Sequence, residues 1–205
     1  GQGMLVTVEI FFLTLFFSLP LGLLVAFGRM SKNVLLKGIS KIYISIMRGT
    51  PLMLQLIVVY FGPYYLFGTN LKGYRFPAII IAFAVNYAAY FAEIYRGGIE
   101  SMPVGQYEAA QILGYNKAQT FFKIILPQVI KRILPSITNE VITLVKDTSL
   151  AFTLSVAEMF SIAKALAASQ TNMIPFVAAA IFYYVFNYVV AFIMEFFEKK
   201  MSYYH

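Results

Sequence analysis

Three carboxylates stand inside or at the edge of long apolar runs of this chain: Glu93, Glu140 and Glu158. A carboxylate near the middle of a bilayer costs about 2.5–3.5 kcal/mol on insertion scales, so such groups are read first as parts of a pathway or a binding site. Their chemistry would be to attract a cation. Asn86, Tyr90 and Glu93 recur at i, i+4 and i+7, which puts an amide, a phenol and a carboxylate on one face of a helix, with Tyr87 and Phe91 beside them as an aromatic wall. Each has a plainer alternative. Glu93 precedes Arg96 by three residues and can pair with it, the stripe can serve ordinary bonding between helices, and Glu158 can be a boundary charge exposed at the outer side. Glu140 has no Lys or Arg one turn away on its face.

Two irregular segments add polar groups. Arg48-Gly49-Thr50-Pro51 interrupts an apolar run, and Pro51 frees carbonyls that Thr50 and Gln55, one turn on, could join in lining a cavity; a simple Pro kink is the alternative. In Lys146-Asp147-Thr148-Ser149 the two charges can neutralise one another, and Thr148 or Ser149 can cap a following helix. That segment reads as structural or gating first.

The elements that must hold these residues are set by composition. Of 205 residues 60% are hydrophobic and 12% charged, with 20 Phe and 15 Tyr, which excludes a soluble globule and describes an all-α membrane protein in a single domain over 1–205. About twenty apolar residues cross the hydrocarbon core, so spans are expected near 5–27, 43–66, 77–95, 133–156 and 174–196. Met4 to Phe27 lacks a basic start and a small-residue cleavage site, so it reads as a retained span.

The formal charge of +7 does not point to nucleic acid, because the basic residues cluster between the spans. Arg29, Lys32, Lys37, Lys41 and Arg48, then Arg96, Lys117, Lys123, Lys131 and Arg132, then Lys199 and Lys200 fall on one side, against Lys72, Arg75 and Lys164 on the other. The excess marks the cytoplasmic side and places the amino terminus outside and the carboxyl terminus inside. No Cys is present and His205 is the one His, which leaves no basis for thiol, metal or His-base catalysis.

The loop of about 97–132 would then be cytoplasmic, and Glu108 to Pro127 reads EAAQILGYNKAQTFFKIILP. Gly114 suits the position just past a helix end, and Asn116 with Gln119 forms a capping-box pattern for a second helix expected to end at Leu126-Pro127. This is a helical hairpin whose small residues Ala109, Ala110 and Gly114 allow close approach; an amphipathic loop on the membrane surface is the alternative.

The spacing of EAA, three residues, Gly114, nine residues, Ile124, one residue and Leu126-Pro127 resembles the loop signature of permease subunits of ATP-binding-cassette importers. AEIYRGGIESMPVGQYEAA, RGTPLMLQ at 48–55 and LVKDTSL at 144–150 are similar to the polar amino-acid permeases within that superfamily. The resemblance implies a type I importer permease fold in a bacterial inner membrane, with Glu108, Ala109, Ala110, Gly114 and Asn116 in a coupling helix that seats on a separate ATPase. It also implies a second permease chain, an external solute-binding protein and an amino-acid substrate, with ATP and Mg held by the ATPase. No GxxxxGK[ST] loop occurs on this chain. With carboxylates in the path a basic amino acid such as arginine, lysine or histidine is expected ahead of glutamine or glutamate. An ion-coupled transporter should show an internal repeat and a channel a longer polar stripe, and neither is found. A membrane enzyme would need His, Cys or metal-ligand patterns at its site.

Overall fold

The computed structural model describes residues 1–201; His205 lies outside them. Among the described residues the chain is helical, in the order α1 (Gln2–Met30), α2 (Val34–Gly49), α3 (Leu52–Phe67), α4 (Arg75–Glu100), α5 (Val104–Ile112), α6 (Lys117–Gln119), α7 (Leu126–Asp147), α8 (Met159–Gln170) and α9 (Ile174–Met201). By length and composition α1, α4 and α9 suffice to cross a membrane alone, and two bent pairs bring the total to five.

The core is built on α4, whose face of Ala78, Ala82, Ala88, Ala89 and Ala92 is buried against α1. Small side chains let two backbones come close, which in lipid replaces the missing hydrophobic drive between helices. Gly22 of α1 shows how close: a methyl group there would lie 2.9 Å from Phe91 Cβ and 3.0 Å from the Ala88 carbonyl oxygen. Ile10, Phe11, Phe83, Tyr87, Phe91, Leu144 and Val145 fill the space among α1, α4 and α7. α9 keeps little of itself inside and turns Tyr184, Tyr188, Phe192 and Phe196 outward.

Two expected spans are redrawn. The run 43–66 is not one helix: α2 ends at Gly49, Pro51 caps α3, and the two axes differ by 113°. A proline at that point lacks the donor that a continuous helix needs. The expected 133–156 starts earlier, because no helix ends at Leu126-Pro127. From Lys117 the chain passes through a π-helical stretch, Thr120–Ile125, into α7. The wider turn accommodates the proline ring and its missing N–H, so the helix continues where the sequence suggested a stop. After Asp147 the helix tightens to a 3-10 stretch, Thr148–Leu154, and breaks at Ser155, whose φ of 55° is left-handed, before α8 leaves at 57°.

Glu158 closes that break. It is fully buried, its two oxygens accept from the Phe160 and Ser161 backbone N–H groups at 2.6 Å each, and the Tyr183 hydroxyl of α9 donates to it at 2.9 Å. Glu158, expected as a substrate contact with an exposed boundary charge as the alternative, is in this structure a buried helix cap. Thr148 and Ser149, the expected caps, donate instead to the Val145 and Lys146 carbonyls of the preceding turn. Removing the carboxylate orphans two helix donors and a phenol at once. Glu158→Ala is expected to lower the unfolding free energy by about 1–3 kcal/mol, with Glu158→Gln less severe; thermal unfolding of the purified protein in detergent is the check.

Candidate functional site

Glu140 and Asp147 lie two turns apart on one face of α7, both half-buried. Asp147 is held in place: the Tyr87 hydroxyl of α4 donates to its Oδ2 at 2.8 Å. Tyr90 sits beside Tyr87, ring centroids 6.2 Å apart, and the Arg48 guanidinium at the end of α2 lies 5.4 Å from the Tyr90 ring centre. Glu140 makes no hydrogen bond or ion pair among the described residues, yet it lies within electrostatic reach of Arg48, Asp147 and Tyr87. Two acids, one base and two phenols thus converge from α2, α4 and α7.

Arg48 owes its position to the break between α2 and α3. Carbonyls at the end of α2 have no helical partners, and amides from two other helices supply them. Gln55 Nε2 donates to the Met47 oxygen at 3.0 Å, the Thr50 oxygen at 3.1 Å and Thr50 Oγ1 at 2.8 Å. Asn86 Nδ2 donates to the Met47 oxygen at 3.2 Å and to Gln55 Oε1 at 2.9 Å. Thr50 closes on the Ile46 oxygen. Thr50, Gln55 and Asn86, expected as ligand contacts, are brought together, and what they hold in this structure is the broken helix.

Glu93 takes the plainer of its two expected roles. Arg96 grips it with Nε at 3.1 Å and Nη2 at 2.6 Å, Arg29 approaches to 3.9 Å, and Arg96 also reaches Glu100. Phe91 is fully buried in the core, and so, nearly, is Tyr87. Glu158 belongs to the α8 cap, bonded to Phe160, Ser161 and Tyr183.

The cluster holds Glu140, Tyr87 and Tyr90, expected as substrate contacts, together with Asp147, whose segment was expected to be structural or gating first, and Arg48, expected as part of a helix break. The signal for Asp147 was its i+7 spacing from Glu140. For Arg48 no short-range signal existed, because Tyr90 is remote from it in sequence.

A second candidate surface lies on the hairpin α5–α6. Gly114 has φ 77°, and its N–H and that of Tyr115 return to the Gln111 and Ala110 carbonyls, the paired bonds of a Schellman stop. Asn116 and Gln119 exchange reciprocal bonds of 2.9 and 3.0 Å, the capping box the sequence indicated. Glu108, Ala109 and Gly114 face outward together with Val104, Ile112, Leu113 and Phe122, which are 65–86% exposed. Ala110 does not: it is fully buried inside the hairpin, where its small side chain serves the chain's own packing.

Residues 18–203 match a family model described as the binding-protein-dependent transport system inner membrane component. The chain is 35% identical, over 98% of its length and 86% of the relative's, to the L-cystine transport system permease protein of Bacillus subtilis (strain 168). It is 36% identical to a putative glutamine transport system permease protein of Rickettsia bellii (strain RML369-C), covering 98% of this chain and 91% of that one. Among solved structures, a chain of an amino acid ABC transporter with histidines superposes with a TM-score of 0.88 at 32% identity, covering 97% and 92% of the two chains. A chain of the inward-facing MetNI methionine ABC transporter gives 0.73 at 18% identity over 98% and 93%, a likeness of fold.

Proposed function

The chain belongs to the family of binding-protein-dependent transport system inner membrane components, as an amino-acid ABC transporter permease of the bacterial inner membrane, and we propose that it passes a basic amino acid between Arg48, Asp147 and Glu140. The observation that carries this reading is the convergence of two carboxylates and one guanidinium on the aromatic pair Tyr87 and Tyr90. Every α-amino acid brings an ammonium and a carboxylate. Arg48 suits the carboxylate, and Asp147, fixed by Tyr87, suits the ammonium. Glu140 is then left for a side-chain cation, as in arginine, lysine or histidine, and Tyr90 offers that cation a ring face.

The relatives named for L-cystine and glutamine favour a second reading, in which Glu140 meets a neutral polar side chain as a hydrogen-bond acceptor.

Energy comes from outside the chain. The family implies ATPase subunits, a solute-binding protein and a further permease chain. In our reading the amino terminus is external, α5–α6 faces the cytoplasm, and its outward Glu108, Ala109, Gly114, Ile112 and Leu113 seat on the ATPase while Asn116 holds the hairpin in shape. ATP-driven closure of two ATPases would press on two such hairpins and, through the unbroken helical run from Lys117 into α7, move Glu140 and Asp147 relative to α4. Binding energy for substrate would thereby differ between the two openings, which is what a driven cycle requires.

The test is equilibrium binding of arginine, lysine, histidine, glutamine, glutamate and cystine to the permease–ATPase complex without the binding protein, whose own selectivity would otherwise intervene. Basic amino acids are expected to bind at least about tenfold more tightly than glutamine, the worth of one charge-assisted contact. Tighter binding of glutamine or cystine would select the second reading, and absence of amino-acid binding would defeat both.

A further inference from the structure

α2 carries three faces where a helix at the edge of a core usually carries two. Tyr43, Ile44 and Met47 pack inward on the ends of α1 and α4, and the Tyr43 hydroxyl donates to the Val85 carbonyl. Ser40 on that side lies so near α1 that a methyl on Gly28 would come within 2.5 Å of its Oγ. A second face, Leu35, Ile39, Ile42 and Ile46 at i, i+4, i+7 and i+11, is 50–70% exposed. A third, nearly opposite that stripe, carries Lys37 and Lys41 one turn apart, and Lys32 stands just before the helix. All three lysines are exposed and make no ion pair among the described residues.

The break at Pro51 sets the angle of this helix. α3 is uncharged, and its 16 residues reach about 24 Å along the bilayer normal. α2 departs from it at 113°, little more than a right angle, and so lies close to the membrane plane. A helix in that plane sinks its apolar stripe among acyl chains and sets its ammonium groups at the level of the lipid phosphates.

We infer that α2 is an interfacial helix that holds anionic phospholipids of the cytoplasmic leaflet on Lys32, Lys37 and Lys41, and that this lipid steadies the substrate site through Arg48. Anionic headgroups supply the counter-charge that the chain itself does not offer these lysines. Arg48 stands in the last turn of the same helix, and the Met47 carbonyl beside it takes bonds from Gln55 and Asn86. A shift of α2 therefore moves the guanidinium relative to Asp147 and Glu140. The choice of leaflet rests on the orientation proposed above, and the part given to Arg48 rests on the amino-acid site proposed there.

The experiment places the permease–ATPase complex in nanodiscs of phosphatidylcholine with or without phosphatidylglycerol. Ile42→Trp is the reporter of contact, since this chain has no Trp and the fluorescence gained over the unsubstituted complex comes from α2. Brominated phosphatidylglycerol is expected to be enriched at that Trp at least about fivefold over its mole fraction, the worth of one lysine at an anionic surface. Lys32→Gln, Lys37→Gln and Lys41→Gln together should abolish the enrichment, and the same three positions changed to Arg should keep it. Arginine is expected to bind at least about fivefold more tightly in the phosphatidylglycerol discs, the lower range of allosteric couplings. The triple Gln variant should bind arginine as the wild type does in pure phosphatidylcholine, whatever the lipid. Equal quenching by both brominated lipids would make α2 an ordinary lipid-facing helix, and no quenching would mean that another protein chain covers it; either overturns the inference. Enrichment without a change in arginine affinity overturns the link to Arg48. Enrichment in a complex that binds no amino acid in any disc would instead indict the function proposed above and leave the lipid contact standing.

Discussion

Replacing Glu140 by glutamine is expected to weaken arginine binding to the permease complex by about 10- to 100-fold, while leaving the complex assembled and its ATPase active. The substitution keeps the size of the side chain and removes its charge. A hydrogen bond to a charged group contributes about 1.5–3 kcal/mol, and each 1.4 kcal/mol is about tenfold in affinity. The fold should not suffer, because Glu140 makes no hydrogen bond or ion pair among the described residues. The pattern of loss reports which group of the substrate Glu140 meets. Where Glu140 meets a side-chain cation, Glu140→Gln weakens arginine and lysine and spares glutamine, so that selectivity narrows or inverts. Where it meets the α-ammonium, all amino acids weaken together. Asp147→Asn should behave in that second way, since Tyr87 fixes it for the group that every amino acid shares. Parallel losses for arginine and glutamine in both variants would end the case for a basic substrate and leave the permease assignment standing.

Local features were legible and long-range ones were not. The hairpin was read to the atom pair, because a capping box and a left-handed glycine involve residues within four positions of one another, and the structure returns both. Asn86, Tyr90 and Glu93 do share a face, as their spacing requires. Spacing says nothing of what the face meets, however. Asn86 is consumed by α2 and Gln55, and Glu93 by Arg96. Glu158 illustrates the same limit: a carboxylate close to a span end looks like a surface charge until the chain folds α9 over it and presents Tyr183. Pro127 misled in the opposite direction, since a proline reads as a stop unless a π-turn upstream absorbs its missing donor. Polar residues in a bilayer must find partners somewhere, and the partner is what fold alone supplies.

Gly114→Leu is expected to abolish uptake while the permease still inserts and binds amino acid with unchanged affinity. Two effects coincide at this position. The backbone stands at φ 77°, where a side chain with a Cβ costs about 1–2 kcal/mol, so the turn between α5 and α6 either strains or reopens. The side chain itself would project into open space on the outward surface of the hairpin, for nothing of this chain lies within 4 Å of the added carbon. A leucine there meets no resistance from the permease, only from whatever seats on Ile112, Leu113 and Glu108. Gly114→Ala separates the contributions: it carries nearly the whole backbone penalty with little of the bulk. Uptake near wild type for Ala with loss for Leu assigns the effect to docking, whereas equal loss in both assigns it to the turn. Co-purification of the ATPase gives the independent readout, since a docking defect releases the partner and a turn defect in a retained complex shows as ATP hydrolysis without uptake. Normal transport by Gly114→Leu would remove the hairpin from the coupling path and leave the helical run into α7 without an input.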